Sequence, residues 1–345
     1  MMGWVNVSRS SAEVNAQLKQ PKKNSQEILA ISGRLVKCNE AFKLCDVIQL
    51  SKSNEFFPVI AFVGKPQVAE CHAYFKDLVR FVQGTGREVI VDQQVAGATG
   101  MTPKTARHIS KHANLIIIFG GDGTFLRMVH ELYGTSAAVV GVQLFGTLGF
   151  LTEHSHKKLK FHLKHFFTGK YKLNERSLIE VLVIRRGQEV ARLQGLNEAV
   201  VSCPGIARMI SLDLSMDGQR MARYSADGMI VATPTGSTAY SLSAGGPIVY
   251  PSMHSFVITP ISPHMLTHRP IVIPNNRVIT TRIGQEHLLL TVDGQRTVHL
   301  RPGDDVVLQK ASWLLRVAYE KDRNYFAVLR EKLQWGERLT KKSRK

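Results

Sequence analysis

The sequence predicts an α/β domain built on a parallel sheet, followed by a mostly β domain and a closing C-terminal helix. Three observations carry that expectation. Between about residues 57 and 142, apolar strand-like runs alternate with helical periodicity, the pattern of parallel strands whose faces are covered by helices. From about residue 178, strand follows strand with turn signals between them. Helical periodicity then returns only over 322–333. At 345 residues the chain exceeds the size at which one core usually stops growing, which agrees with two domains.

The elements follow in order. Residues 57–63 read as a buried strand, after which Val68, Cys71, Phe75, Leu78, Val79 and Val82 recur at helical spacing. Residues 88–91 form a second strand, 105–113 a short helix, 115–119 a third strand and 137–142 a fourth. A helical segment over 157–167 closes this half. The β-rich half opens with strands at 178–184, 197–202 and 210–215. Asp217-Gly218 and Asp293-Gly294 each sit between alternating apolar runs, the signal for tight hairpins. The repeated Asp-Gly-Gln-Arg at 217–220 and 293–296 is explained by those hairpins as well as by duplication. The expected division is 1–54, an N-terminal extension that is partly disordered; 55–155, the α/β phosphate- and nucleotide-binding domain; 156–320, the β-rich domain; and 321–345, a helix returning to the first domain with a basic tail.

Composition narrows the partners. The formal net charge is +18, from 45 Lys and Arg against 27 Asp and Glu, and this favours an anionic partner. The tail holds Arg338, Lys341, Lys342, Arg344 and Lys345 against Glu337 alone, without interleaved aromatics that would stack on bases. It reads as a solvated terminus, and no specific nucleic acid is expected. No apolar run approaches the roughly 20 residues needed to span a bilayer, so a soluble protein without a membrane partner is expected. Cys38, Cys45, Cys71 and Cys203 show no metal-ligand spacing, which suits a reducing compartment and argues against a structural metal. Arg9, Lys19, Lys22 and Lys23 face only Glu13 before Glu27. That segment reads either as a solvated extension of a cytoplasmic protein or as a mitochondrial targeting segment.

Gly120-Gly121-Asp122-Gly123-Thr124 follows the apolar 115–118 run and precedes the helical pattern of Phe125, Leu126, Met128 and Val129. Glycines let backbone N–H groups approach an anion, the helix start adds its positive end, and Asp122 supplies a base or a metal-directed oxygen. Asp-Gly is also a common turn dipeptide, so this stretch alone leaves a plain turn open. Downstream lie Asn197-Glu198 and the run from Asp227 to Tyr240. Pro234 and Gly236 predict a tight turn after a strand, and Ser237, Thr238 and Ala239 a helix start with uncovered N–H donors, a floor for a nucleotide. An ordinary strand–turn–helix junction with a Ser or Thr cap is the alternative.

Taken together, these segments resemble the NAD kinase family. The matching motifs, in the family's order, are Gly120-Gly121-Asp122-Gly123-Thr124, Leu148-Gly149-Phe150-Leu151-Thr152, Asn197-Glu198, Thr233-Pro234-Thr235-Gly236-Ser237-Thr238-Ala239-Tyr240, Thr259-Pro260-Ile261-Ser262-Pro263-His264 with Arg269-Pro270, and Val292-Asp293-Gly294-Gln295. The resemblance covers about 59–317, and the closing 325–335 segment looks like the tail of eukaryotic members. It implies a Rossmann-like first domain, transfer of a phosphoryl group from ATP, with Mg2+ or another divalent cation, to the 2′-hydroxyl of the adenosine ribose of NAD, and a homo-oligomer, dimer or tetramer. It implies Asp122 as general base, with Gly121, Gly123 and Thr124 donating to the polyphosphate. It further implies Phe150 covering the nucleotide, Asn197 and Glu198 on the dinucleotide's hydroxyl and amide groups, and Ser237, Thr238, Ala239 and Tyr240 with Asp227 on the adenine side. Asp293 is assigned to the dinucleotide, with a hairpin turn as its alternative, and no residue is assigned to a protein-held metal. Arg127 reads as a phosphate contact or a surface ion pair. Gln143-Leu144-Phe145-Gly146 departs from the bacterial pattern of Asn and a basic residue, and Ala226 replaces a glycine before Asp227. The rival readings are a lipid or sugar kinase sharing the glycine motif, and a non-catalytic dinucleotide sensor or polyanion-binding protein.

Overall fold

The computed structural model describes residues 28–31, 34–37, 56–65, 71–146, 149–204, 209–265 and 267–334. The expectations of a disordered extension over most of 1–54, of Leu148 in its motif and of the basic tail lie outside the described residues. The described residues divide into two units, with the boundary between Phe56 and Phe57. The first contains an antiparallel hairpin of β1 (Ile28–Ile31) and β2 (Arg34–Lys37), with Ile28 opposite Lys37.

The second unit begins with β3 (Val59–Gly64), α1 (Cys71–Gln83), β4 (Glu88–Val91), α2 (Gln93–Thr99), α3 (Ala106–His112), β5 (Leu115–Phe119), α4 (Asp122–Glu131) and β6 (Ala138–Gln143). The strands lie parallel in the order β6-β5-β3-β4. β5 shows why its sequence is uninterruptedly apolar. Successive side chains point to opposite faces, so Leu115, Ile117 and Phe119 enter one core cluster while Ile116 and Ile118 enter the other. The short α2 escapes sequence periodicity because seven residues around Gly97 make barely two turns. It is held at its ends, where the Asp92 carboxylate accepts from Val95 N at 2.8 Å and Gly100 closes it at φ 78°.

Beyond β7 (His154–Ser155) and α5 (Leu159–Phe167) come β8 (Tyr171–Arg185), β9 (Gln188–Gly195), β10 (Glu198–Ser202), β11 (Ile210–Met216), β12 (Gln219–Ala226) and β13 (Gly228–Ala232). The single turn α6 (Tyr240–Ser243) precedes β14 (Ser255–Ile261), β15 (Ile271–Pro274), β16 (Ile279–Arg282), β17 (Leu288–Val292), β18 (Arg296–Leu300), β19 (Asp305–Glu320) and α7 (Tyr325–Leu333). One antiparallel sheet runs β15-β14-β13-β10-β17-β18. Across from it, β12-β11-β16-β19 continue directly into the parallel strands β6-β5-β3-β4. The 16-residue β19 makes that continuity: Asp305 to Leu308 pair antiparallel with β16, and Arg316 and Val317 pair parallel with β6. The β-rich core fills the space between the sheets, with Val201, Met229, Ile258 and Leu290 on one side and Leu212, Leu214, Ile279 and Leu308 on the other.

Both Asp-Gly turns have positive φ at each central residue: 50° and 79° at Asp217-Gly218, 51° and 64° at Asp293-Gly294. This is the handedness that matches the twist of the flanking strands. Among the described residues no helix is long and apolar enough to cross a membrane.

Candidate active site

The glycine loop leaves the carboxyl end of β5, where open α/β sheets bind ligands. α4 starts at Asp122 with Gly121 as its N-cap, and no side chain caps it. Among the described residues its first N–H groups have no side-chain acceptor, the arrangement that accommodates an anion. The Asp122 carboxylate turns back to the segment after β6. Oδ1 accepts from Leu151 N at 3.1 Å, Thr152 N at 3.0 Å and Thr152 Oγ1 at 2.9 Å, and Oδ2 accepts from Phe150 N at 2.9 Å. A carboxylate offers about four lone-pair sites, so Oδ1 is crowded and Oδ2 keeps one open. Gly149 is required by the close approach, since a Cβ there would lie 2.0 Å from Oδ1. Thr152 Oγ1 also lies 3.1 Å from Gln143 Oε1, and Gln143 Nε2 donates to Phe145 O. The departure at Gln143 thus lies at the end of β6, against Thr152 of the segment gripped by Asp122.

The second half of the site is organised by Asp293. It is 5% exposed, and its carboxylate accepts from Leu196 N at 2.7 Å, Asn197 N at 2.8 Å and Glu198 N at 3.0 Å. His130 Nε2, from the last turn of α4, lies 3.2 Å from Asp293 Oδ2. In the same turn Gln295 Nε2 donates to Gly123 O at 2.8 Å. The β17–β18 turn therefore ties the Asn197-Glu198 corner to the glycine-loop helix. Glu198 is 6% exposed, and its Oε2 has no hydrogen-bond partner among the described residues. Burial, reinforced by the nearby Asp293 charge, pushes its carboxyl up to about 8. A largely neutral acid with an open oxygen is suited to exchanging hydrogen bonds with a ligand's hydroxyl or amide groups.

The Thr233–Tyr240 run packs on that corner. Thr233 N donates to Asn197 O at 2.8 Å and Thr233 Oγ1 to Leu196 O at 2.6 Å. Gly236 lies so close that a Cβ would sit 2.1 Å from Asn197 O. The expected helix opening takes the form of a 3-10 turn followed by α6, whose N-cap is Ala239 and which no side chain caps. Gly236–Thr238 is one 3-10 turn, in which Gly236 N donates to Thr233 Oγ1, Ser237 N to Thr233 O and Ala239 N to Gly236 O. These bonds cover the Ser237 and Ala239 N–H groups of the expected donor set. Ser237 is fully buried, donating to Pro234 O at 2.7 Å and accepting from Val249 N at 3.0 Å, so it supports the turn from beneath. Thr238 and Ala239 are half-buried, and Tyr240 is 46% exposed.

The structure thus brings Asp122 together with Phe150, and Gly123, through Gln295 and the Asp293 turn, with Asn197, Glu198, Gly236 and Ser237. Thr124 follows on the first turn of α4. Asp227 stands apart. It precedes β13, its N–H on Ile261 O, whereas the Thr233 turn follows β13; six residues of strand at about 3.3 Å each separate them by roughly 20 Å. Arg127 pairs with Glu131 at 2.8 Å, the surface ion pair, yet its Nη2 is buried without a partner among the described residues. Thr152, Gln295 and His130 were not assigned from the sequence. The first two lie inside quoted motifs, whereas nothing in the spacing marks His130.

Comparison with known proteins follows the same outline. The ATP-NAD kinase N-terminal domain matches residues 60–171, and the ATP-NAD kinase C-terminal domain matches 196–317. The chain is 40% identical over 268 residues to an NAD kinase of Magnetococcus marinus, covering 76% of this chain and 88% of that one. Its fold resembles the crystal structure of yeast NADH kinase complexed with NADH, with a TM-score of 0.74, 26% identity and coverage of 84% and 95% of the two chains. It also resembles an NAD kinase from Archaeoglobus fulgidus in complex with ATP, with a TM-score of 0.63, 26% identity and coverage of 80% and 98%.

Proposed function

We propose, from the premise that this chain belongs to the NAD kinase family and is an ATP-dependent NAD kinase, that Asp122 accepts the proton of the adenosine ribose 2′-hydroxyl as its oxygen attacks the γ-phosphorus of ATP. ADP leaves and NADP is formed. The carrying observation is Asp122 Oδ2 with one lone pair open, beside an uncapped helix start at the end of β5. A carboxylate acceptor contributes about 10²–10⁴-fold, and positioning with charge neutralisation supplies most of the remainder. The N–H groups at Gly121, Gly123 and Thr124 bind the polyphosphate in this reading, and Phe150 covers the nucleotide. Asn197 and Glu198 hold the dinucleotide's hydroxyl and amide groups, and Thr238, Ala239 and Tyr240 flank it. Ser237 and Asp293 support these groups from behind, which their buried hydrogen bonds favour.

A divalent cation, magnesium or another, accompanies ATP as part of the substrate. Among the described residues no group of three or more His, Cys, Asp or Glu side chains is arranged to hold a metal. Phosphate oxygens and water then supply most of its ligands, with Asp122 the carboxylate at hand. A homo-oligomer belongs to the same reading. Asp227 lies roughly 20 Å along β13 from the Thr233 turn, and a second protomer would let it reach a nucleotide bound there. A cytoplasmic location, with the mitochondrion as the alternative, is supported by Cys71 and Cys203 being free thiols.

The test is NADP formation from NAD, ATP and magnesium by the purified chain, with Asp122→Asn alongside. Formation that disappears in the variant supports both the activity and the base. Equal formation by the variant removes Asp122 from the reaction.

A further inference from the structure

The Thr152 hydroxyl stands between two acceptors. Its Oγ1 lies 2.9 Å from Asp122 Oδ1 and 3.1 Å from Gln143 Oε1. A hydroxyl carries one proton, so it donates to only one of them at a time. The Gln143 amide is held with its oxygen toward Thr152, because its Nε2 donates to Phe145 O. A Cβ at Gly121 would lie 3.6 Å from Gln143 Oε1, which places this amide beside the glycine loop. Thr152 is fully buried, and among the described residues Gln143 Oε1 has no other donor. While Asp122 is ionised it takes the Thr152 proton, since a hydrogen bond to a carboxylate is about twice as strong as one between neutral groups. The Gln143 oxygen then goes without it.

We infer that Gln143 is a positioning residue for the phosphoryl transfer, offering the Thr152 hydroxyl a second acceptor as Asp122 becomes protonated. This role rests on Asp122 being the base. In that step the ribose O–H bond breaks and its proton binds Asp122 Oδ2, while the ribose oxygen bonds to the γ-phosphorus and the bond to ADP breaks. Asp122 is then a neutral acid, and Oδ1 loses the charge that favoured it as an acceptor. The Thr152 hydroxyl turns about its Cβ–Oγ1 bond to Gln143 Oε1, an amide oxygen and the stronger acceptor of the two neutral carbonyls. No proton passes to Thr152 or Gln143; one hydrogen bond is exchanged for another. The protonated form of Asp122, and the transition state leading to it, is stabilised, whereas the ionised form that binds NAD and ATP is not. Interactions of this kind, stronger in the transition state than in the ground state, raise the rate without tightening substrate binding.

The test is the single-turnover rate of NADP formation by the full chain at saturating NAD and ATP with magnesium. It is measured for wild type, Gln143→Met, Thr152→Val and the double variant, with Asp122→Asn alongside. Methionine keeps the length of the side chain and removes its acceptor. Gln143→Met is expected to slow the step about two- to tenfold, the worth of one hydrogen bond, with calorimetric Kd values for NAD and ATP within about twofold of wild type. In the Thr152→Val background no hydroxyl remains to be shared, and the same substitution should change the rate less than about twofold, the non-additivity of residues acting through one contact. An equal loss in both backgrounds would assign Gln143 to its Phe145 bond alone, and a wild-type rate in Gln143→Met would remove it from the reaction; either overturns the proposal. A wild-type rate in Asp122→Asn overturns the base together with it. An inactive Asp122→Asn beside an unaffected Gln143→Met counts against Gln143 alone, so the two failures are told apart.

Discussion

Replacing Asp122 by asparagine tests two roles at once, because the carboxylate is both the proposed base and the anchor of residues 150–152. The amide retains one acceptor oxygen. If that oxygen keeps Leu151 N, Thr152 N and Thr152 Oγ1, the NH2 group faces Phe150 N, donor against donor. Losing a charged acceptor costs about 1.5–3 kcal/mol and stranding one N–H about 1–3 kcal/mol, so the segment loosens locally. The surrounding β5, β6 and α4 packing is apolar and untouched, so the fold is retained. Turnover should fall about 10²–10⁴-fold if Asp122 accepts the proton. Thr152→Val separates the roles. It removes only the hydroxyl bond, loosening the segment while keeping the carboxylate, and should cost less than about tenfold, given the ~1 kcal/mol typical of one hydrogen bond. The assays are steady-state NADP formation and amide hydrogen exchange over 149–152. Asp122→Asn turning over within about threefold of wild type would refute the base. Equal losses in the two variants, with equally raised exchange, would reassign Asp122 as a positioning residue.

Three further outcomes follow from the same geometry. Glu198, raised from 4.5 to about 8 by burial and then by Asp293, keeps a proton in the folded chain that the unfolded chain has lost. Its contribution to stability is fully present below pH 4.5 and lost as pH rises through 8, a few kcal/mol at most. Glu198→Gln should therefore unfold close to wild type at pH 5 and at a higher temperature at pH 9; a pH-independent difference would contradict the buried neutral acid. Gly236→Ala places a methyl 2.1 Å from Asn197 O, so the Thr233 turn and the Asn197 corner must separate. A lowered Tm and NAD affinity weakened at least tenfold are expected, and unchanged calorimetric titration would show that this corner is not the dinucleotide site. Gln295→Ala loses the 2.8 Å bond to Gly123 O, the only side-chain hydrogen bond to the glycine loop from the β17–β18 turn among the described residues. A stability loss of about 1 kcal/mol with a larger effect on kcat than on global unfolding is expected; a purely proportional effect would make the contact merely structural.

Much of the fold was legible because its signals are local. The strand at Leu115–Phe119 was found to the residue, since five buried apolar positions between turn signals leave few alternatives. Asp217-Gly218 and Asp293-Gly294 announced hairpins through a backbone chemistry that few other residue pairs tolerate. The strand expected at 178–184 extends over Tyr171–Arg185, because its ends are polar and are held by pairing with β19 rather than by their own pattern. α2 was missed for the complementary reason, its ends being set by Asp92 and Gly100 rather than by an apolar stripe.

The sequence by itself determined the class of the protein: two halves of different rhythm, and a set of motifs whose order identifies an NAD kinase. It could not determine what each polar residue faces. Asp122 and Asp293 are both Asp-Gly aspartates, placed by the sequence before a helix and in a hairpin, and only the tertiary structure shows what each carboxylate binds. One keeps an oxygen lone pair open beside an uncapped helix, while the other is enclosed by three backbone N–H groups and a histidine. The same holds for the Thr233 run, where the turn itself takes up the Ser237 and Ala239 N–H groups, and for Glu198, whose protonation depends on burial by strands distant in sequence. Periodicity and turn chemistry are written in neighbouring residues, whereas the hydrogen-bond partners come from segments 28 to 172 positions away, and so they and the dielectric surroundings exist only once the chain has packed.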